Sequence, residues 1–141
     1  MKPQLLALFT AIAWGVGSYF EKKGLLMGNL SPQVGITIRT FVALIILSLV
    51  SYPQWKTIPN AGPKALLYLV IGGGVLAGSV GLLLFYMAIK GAPLSRVLPI
   101  AFTSPLFGAL LGFVLASEPI TIKTVLGILL TVGGIVLLTV G

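Results

Sequence analysis

The feature that most constrains this chain is the length of its apolar runs. Five stretches of about 20 residues, separated by short polar turns, fill nearly the whole sequence. At 1.5 Å per residue, about 20 helical residues cross the roughly 30 Å hydrocarbon layer of a bilayer. The stretches at about 4–24, 32–50, 65–88, 94–116 and 120–140 meet that test. The expected fold is all-α: a polytopic membrane protein with five transmembrane helices in a single transmembrane domain over residues 1–141. Closed barrels also satisfy every backbone group in lipid, but they need polar and apolar residues to alternate over about ten positions. Phe41-Val42-Ala43-Leu44-Ile45-Ile46-Leu47 has no such alternation.

The composition agrees. The chain is 57% hydrophobic and 8% charged, and its mean hydropathy of +1.14 would leave a soluble domain with large exposed apolar patches. The formal charge of +7 suggests nucleic acid at first sight. The cations are instead scattered singly between apolar runs and read as headgroup anchors and topology markers, so membrane lipids are the expected partner and nucleic acid is not. With no Cys, His or Asp, the chain lacks the residues for thiolate or imidazole metal sites and for most acid–base or nucleophilic chemistry. No metal, no cofactor, no catalytic residue and no enzymatic activity are expected. Lys2 and the small residues Ala11-Ile12-Ala13 resemble a signal peptide, yet the run continues through Trp14 to Phe20 and is long enough to span.

The punctuation between the runs is legible. Glu21-Lys22-Lys23 closes the first, and Gly28-Asn29-Leu30-Ser31-Pro32 has turn and helix-start chemistry. Ser51-Tyr52-Pro53-Gln54-Trp55-Lys56 places aromatics and a cation where an interfacial belt sits, and Pro59-Asn60-Ala61-Gly62-Pro63 completes the one substantial loop. Lys90-Gly91-Ala92-Pro93 ends the third run. Glu118-Pro119 links the last two, with Glu118 in a helix-end role.

Within the spans four groups of residues stand out. Gly74 and Gly78, Gly108 and Gly112, and Gly127 and Gly134 offer small faces on which membrane helices pack closely. Pro99 and Pro105 fall inside the fourth run, where each removes a backbone donor and crowds the carbonyl four residues earlier, that of Ser95 or Ala101. Thr103 and Ser104 are at hand to satisfy freed groups, and interrupted helices often lie at substrate sites, so the two prolines are candidate hinges; a plain structural kink is the alternative. Arg39 lies roughly 10 Å into the second helix and Glu21 near the same end of the first, depths that suit an ion pair. Snorkelling of Arg39 to the headgroups is the other reading. Trp14, Tyr19, Phe20, Tyr86 and Phe102 are candidates to wall a pocket through stacking and cation–π contact, or are ordinary packing and interface anchors.

These residues stand in a familiar order. Ala13-Trp14-Gly15 is followed by Arg39. Tyr86-Met87-Ala88-Ile89-Lys90-Gly91-Ala92-Pro93-Leu94-Ser95-Arg96-Val97 leads into Pro105-Leu106, and Ala116-Ser117-Glu118-Pro119-Ile120-Thr121 precedes Gly127 and Gly133-Gly134-Ile135-Val136-Leu137. The pattern resembles the EamA domain of the drug/metabolite transporter superfamily over essentially the whole chain. Members commonly have ten helices in two inverted five-helix repeats, and this chain resembles one repeat, a half-size member of the kind thought to pair. The resemblance implies gradient-driven export or exchange of small metabolites or drugs by alternating access, without nucleotide hydrolysis. It implies a small-molecule substrate near the midplane of a dimer, with Trp14, Tyr19, Arg39, Tyr86, Phe102 and Thr103 as candidate substrate-binding residues. The plasma membrane (a cell's inner membrane) is the expected location. The chain is also more distantly similar to four-helix small multidrug resistance proteins, but Trp14 stands where those carry a membrane-embedded Glu. Arg39 favours an anion or zwitterion as substrate and the aromatics favour an apolar or cationic one. A lipid or lipid-linked sugar flippase subunit, and a non-transporting subunit of a larger complex, are the alternative functions.

Orientation in the membrane follows the Lys and Arg balance of short loops. On a five-helix reading the N-terminal side carries Lys2, Lys56, Lys64 and Lys123 and the opposite side carries Lys22, Lys23, Lys90 and Arg96. An even balance leads to the expectation of insertion both ways and of an antiparallel homodimer.

Overall fold

The computed structural model of the chain describes residues 2–116, 119 and 121–139. The described residues form helices joined by short turns, as expected of a chain whose backbone must satisfy its own hydrogen bonds in lipid. They fall into two compact units, Met1–Gly91 and Ala92–Gly141.

In the first unit, α1 (Pro3–Met27) and α2 (Pro32–Ser51) are joined by a tight turn. Asn29 takes the left-handed conformation (φ 45°), which its short polar side chain tolerates better than most. The Leu30 N–H donates to the Leu25 carbonyl at 3.0 Å, closing the end of α1. Ser31 caps α2 by accepting from the Val34 N–H, and Pro32 follows at the position where a missing N–H costs nothing. The turn chemistry in the sequence therefore translates directly into backbone geometry.

Beyond α2 the expected loop is largely helical. Residues Tyr52–Asn60 continue as a 3₁₀-helix, with Pro53 in its first turn, where a missing N–H costs nothing, and Pro59 near its end. The Trp55 indole N–H donates to the Ser51 hydroxyl at 2.9 Å and the Thr57 hydroxyl to the Gln54 carbonyl at 2.7 Å. Gly62 turns the chain with φ 77°, and Pro63 begins α3 (Pro63–Tyr68). The chain then runs through a π-helical stretch, Leu69–Gly81, into α4 (Leu82–Gly91). The π register was not foreshadowed by apolar periodicity. It depends on glycine: a Cβ on Gly78 would lie 2.7 Å from the carbonyl oxygen of Gly73, five residues back.

The second unit holds α5 (Leu94–Ala101), α6 (Ser104–Ala116) and α7 (Ile122–Thr139). The fourth apolar run is thus two helices, broken at Phe102 and Thr103. Thr121 starts α7, its hydroxyl accepting from the Thr124 N–H at 3.1 Å. The helix-end role expected for Glu118 lies outside the described residues, as do Ile120 and Val140 at the limits of the fifth run.

Four segments are long and apolar enough to cross a bilayer among the described residues: Pro32–Asn60, Pro63–Gly91, Leu94–Leu115 and Ile122–Thr139. The expectation of five narrows to these four by composition. At 25 residues α1 is long enough, but Trp14, Gly15, Gly17, Ser18 and Tyr19 dilute its apolar run before Glu21-Lys22-Lys23. Along the four, large apolar side chains such as Leu115 (77%) and Leu137 (82%) point outward, a surface that suits lipid rather than water.

Candidate functional site

The best-packed part of the first unit lies where the end of α1, the start of α2 and the end of α4 meet. Leu25, Tyr86 and Ile89 are buried there, together with Ser18, whose hydroxyl donates to the Trp14 carbonyl at 2.7 Å. Glu21 and Arg39 face each other across this junction, with Arg39 Nε 2.8 Å from Glu21 Oε1. Tyr86 of α4 is buried beside the same carboxylate. Side chains of three helices thus form a clasp around this ion pair. Below the clasp, Lys90 Nζ donates to the Leu30 carbonyl at 2.7 Å, fastening α4 to the α1–α2 turn.

Gly35 makes the clasp possible, and it was absent from the glycines singled out by sequence. It lies one helical turn before Arg39. A Cβ there would sit 2.5 Å from Leu25 Cδ2 and 3.1 Å from the Tyr86 ring, so a side chain at residue 35 would have to displace both, and its absence lets the three helices pack closely. The available signal was the i, i+4 spacing of Gly35 and Arg39, which puts a small residue and a charge on one face. By contrast a Cβ on Gly74, Gly108, Gly127 or Gly134 would meet nothing within 4 Å, and one on Gly78 would meet only its own helix. Within the chain these five glycines are therefore not points of close approach to another helix.

The aromatic candidates separate into different environments. Tyr86 is 2% exposed and belongs to the core rather than to a pocket wall. Trp14 and Tyr19 are more than half exposed, and Tyr19 stacks edge-on against Phe20 with ring centroids 5.4 Å apart. Arg39 is committed to Glu21, so its charge is answered within the chain.

Grooves among the described residues offer places for a ligand. In the first unit a groove of about 440 Å³ runs between α2 and the third apolar segment, lined by Gln33, Ile36, Thr37, Thr40, Phe41, Leu44, Gly78, Ser79 and Leu83. In the second unit a groove of about 190 Å³ lies beside the α5–α6 break, lined by Thr103, Pro105, Thr124, Gly127, Thr131 and Ile135 among others. Thr103 and Pro105 are thus brought to one site, and Phe102 sits at the break itself. There the Ile100 carbonyl receives both the Thr103 N–H at 3.1 Å and the Thr103 hydroxyl at 2.8 Å. The Thr103 hydroxyl thus serves the Ile100 carbonyl rather than the proline-crowded carbonyl of Ala101. Pro105 falls in the first turn of α6, where it starts a helix rather than bending one, while Pro99 lies inside α5.

Comparison with known proteins adds what geometry alone does not. The family model of the EamA-like transporter family matches residues 1–140. An uncharacterized protein of Methanocaldococcus jannaschii is 29% identical over 136 residues, which is 96% of this chain and 95% of that protein. No solved structure matches the chain.

Proposed function

Because this chain belongs to the EamA-like transporter family, we propose that it is a secondary transporter that exports or exchanges small metabolites or drugs, working by alternating access as a dimer in the plasma membrane. The observation that carries the reading beyond family membership is the break at Phe102–Thr103. It interrupts the apolar segment Leu94–Leu115 next to a groove, and broken helices in transporters lie where backbone must serve both a cavity and a movement. One repeat presents half of a two-repeat architecture, so pairing supplies the other half. The flux test uses the purified protein in proteoliposomes, with and without a pH or sodium gradient. Gradient-dependent uptake or efflux of small metabolites is expected; the lack of any flux from correctly inserted protein overturns the reading in favour of a non-transporting subunit.

In this reading α1 also crosses, giving five helices in a single domain, and the copies pair antiparallel. The warrant is the balance of loop cations, four on each side, with Arg39 held by Glu21 inside the bundle. Single cysteines at positions 56 and 90 are expected each to label from both faces of the membrane, in about equal shares of molecules. Labelling of each site from one face only removes dual topology.

A further inference from the structure

The groove of the first unit combines three features that the clasp and the α5–α6 break do not explain. Its polar lining is uncharged: Gln33, Thr37, Thr40 and Ser79 contribute to it and no ionisable residue does. Arg39 is close in sequence, between Thr37 and Thr40, but its guanidinium is engaged by Glu21 at 2.8 Å.

The second feature is the hydrogen-bonding capacity on offer. The Thr37 hydroxyl donates to the Gln33 carbonyl at 2.8 Å and the Ser79 hydroxyl to the Gly74 carbonyl at 2.9 Å. Both have spent their donor and keep lone pairs to accept. Among the described residues the Gln33 amide and the Thr40 hydroxyl make no hydrogen bond and can both donate and accept. Phe41 adds an aromatic wall.

The third is the backbone opposite α2. The π register is held by the Ser79 hydroxyl on a carbonyl five residues back and by the bare Cα of Gly78. π turns are rare and frequently lie at functional sites. Here the register brings Gly78 and Ser79 to the groove.

We propose that this groove is a binding site for an uncharged small molecule that carries an amide or hydroxyl on an apolar, preferably aromatic, body. Granting the transporter reading, that molecule is the cargo. A charged ligand would be moved out of water into an apolar groove with no counter-charge, which costs more than the hydroxyls return. A neutral amide instead finds acceptors at Thr37 and Ser79 and donors at Gln33 and Thr40. The volume is within the usual range for small-molecule sites.

The probes that test this differ only in charge: benzamide, benzoate and benzamidinium. Binding is measured by equilibrium dialysis against the purified full chain. Benzamide is expected to bind at least tenfold more tightly than either charged isostere. Thr40→Val and Ser79→Ala are each expected to weaken it at least fivefold, and Thr40→Ser, which keeps the hydroxyl, to retain it. Tighter binding of benzoate or benzamidinium, benzamide affinity unchanged in both groove variants, or no benzamide binding overturns the site. The same probes are then followed in proteoliposomes. Groove-dependent binding without flux leaves the site standing and counts against the transporter reading, whereas benzamidinium flux indifferent to the groove variants keeps the transporter reading and overturns the site.

Discussion

Replacing Glu21 by Gln or Arg39 by Gln is expected to lower the stability of the solubilised protein by about 2–3 kcal/mol each, and the double change to cost less than the sum by at least about 1 kcal/mol. The magnitude follows from the position of the pair. Both side chains are partly exposed, at 21% for Glu21 and 36% for Arg39, so the loss falls below the 3–5 kcal/mol typical of a fully buried pair. About 10 Å from a helix end in a membrane helix, bulk water is scarce, so the charge left behind is poorly rescued by solvation. Tyr86 makes the test sharper. Tyr86→Phe removes a buried hydroxyl beside that charged group, and is expected to cost less in the Glu21→Gln background, where the neighbouring side chain is no longer ionised. Thermal or denaturant unfolding of the set, in one detergent, measures these terms. Strict additivity of Glu21→Gln with Arg39→Gln would show that the two do not cooperate.

Pro105→Ala is expected to slow initial uptake at least tenfold, with a smaller, few-fold effect for Pro99→Ala and little change in melting temperature for either. Pro105 follows the break closely, and its ring crowds the Ala101 carbonyl of a helix that tries to continue through Phe102 and Thr103. Proline disfavours a helix interior by about 3 kcal/mol relative to alanine. Removing it favours one continuous helix over Leu94–Leu115 by a comparable amount, roughly a hundredfold shift between the broken and unbroken shapes. If transport needs both shapes, the rate falls with the scarcer one. Pro99 lies within a helix that persists around it, so alanine there restores one backbone bond without choosing between shapes. Initial rates and melting temperatures of the same reconstituted preparations decide the matter. Unchanged rates in both variants would reduce the fourth apolar segment to a packing element.

The sequence alone determined that this is a helical membrane chain, because apolar runs of about 20 residues lack the alternation a closed barrel needs, which leaves the bilayer-spanning helix to satisfy the backbone. It also placed Glu21 and Arg39 at matching depths, since depth along a helix is a count of residues at 1.5 Å each. The break in the fourth run was legible for a similar reason: proline acts on its own backbone, wherever the rest of the chain goes. Tertiary structure alone decided which small and aromatic residues matter together. Gly35 is one of many glycines in the sequence and becomes the close-approach point only because Leu25 and Tyr86 arrive opposite it from two other helices. Tyr86, which the sequence left open between a pocket wall and ordinary packing, is drawn into the core by the same approach, beside Glu21. The π register of Leu69–Gly81 was hidden as well. A run that is apolar on all sides has no periodic stripe from which a change of 3.6 residues per turn could be read, and only the placed carbonyls of Gly73 and Gly74 reveal why Gly78 and Ser79 hold the wider turn.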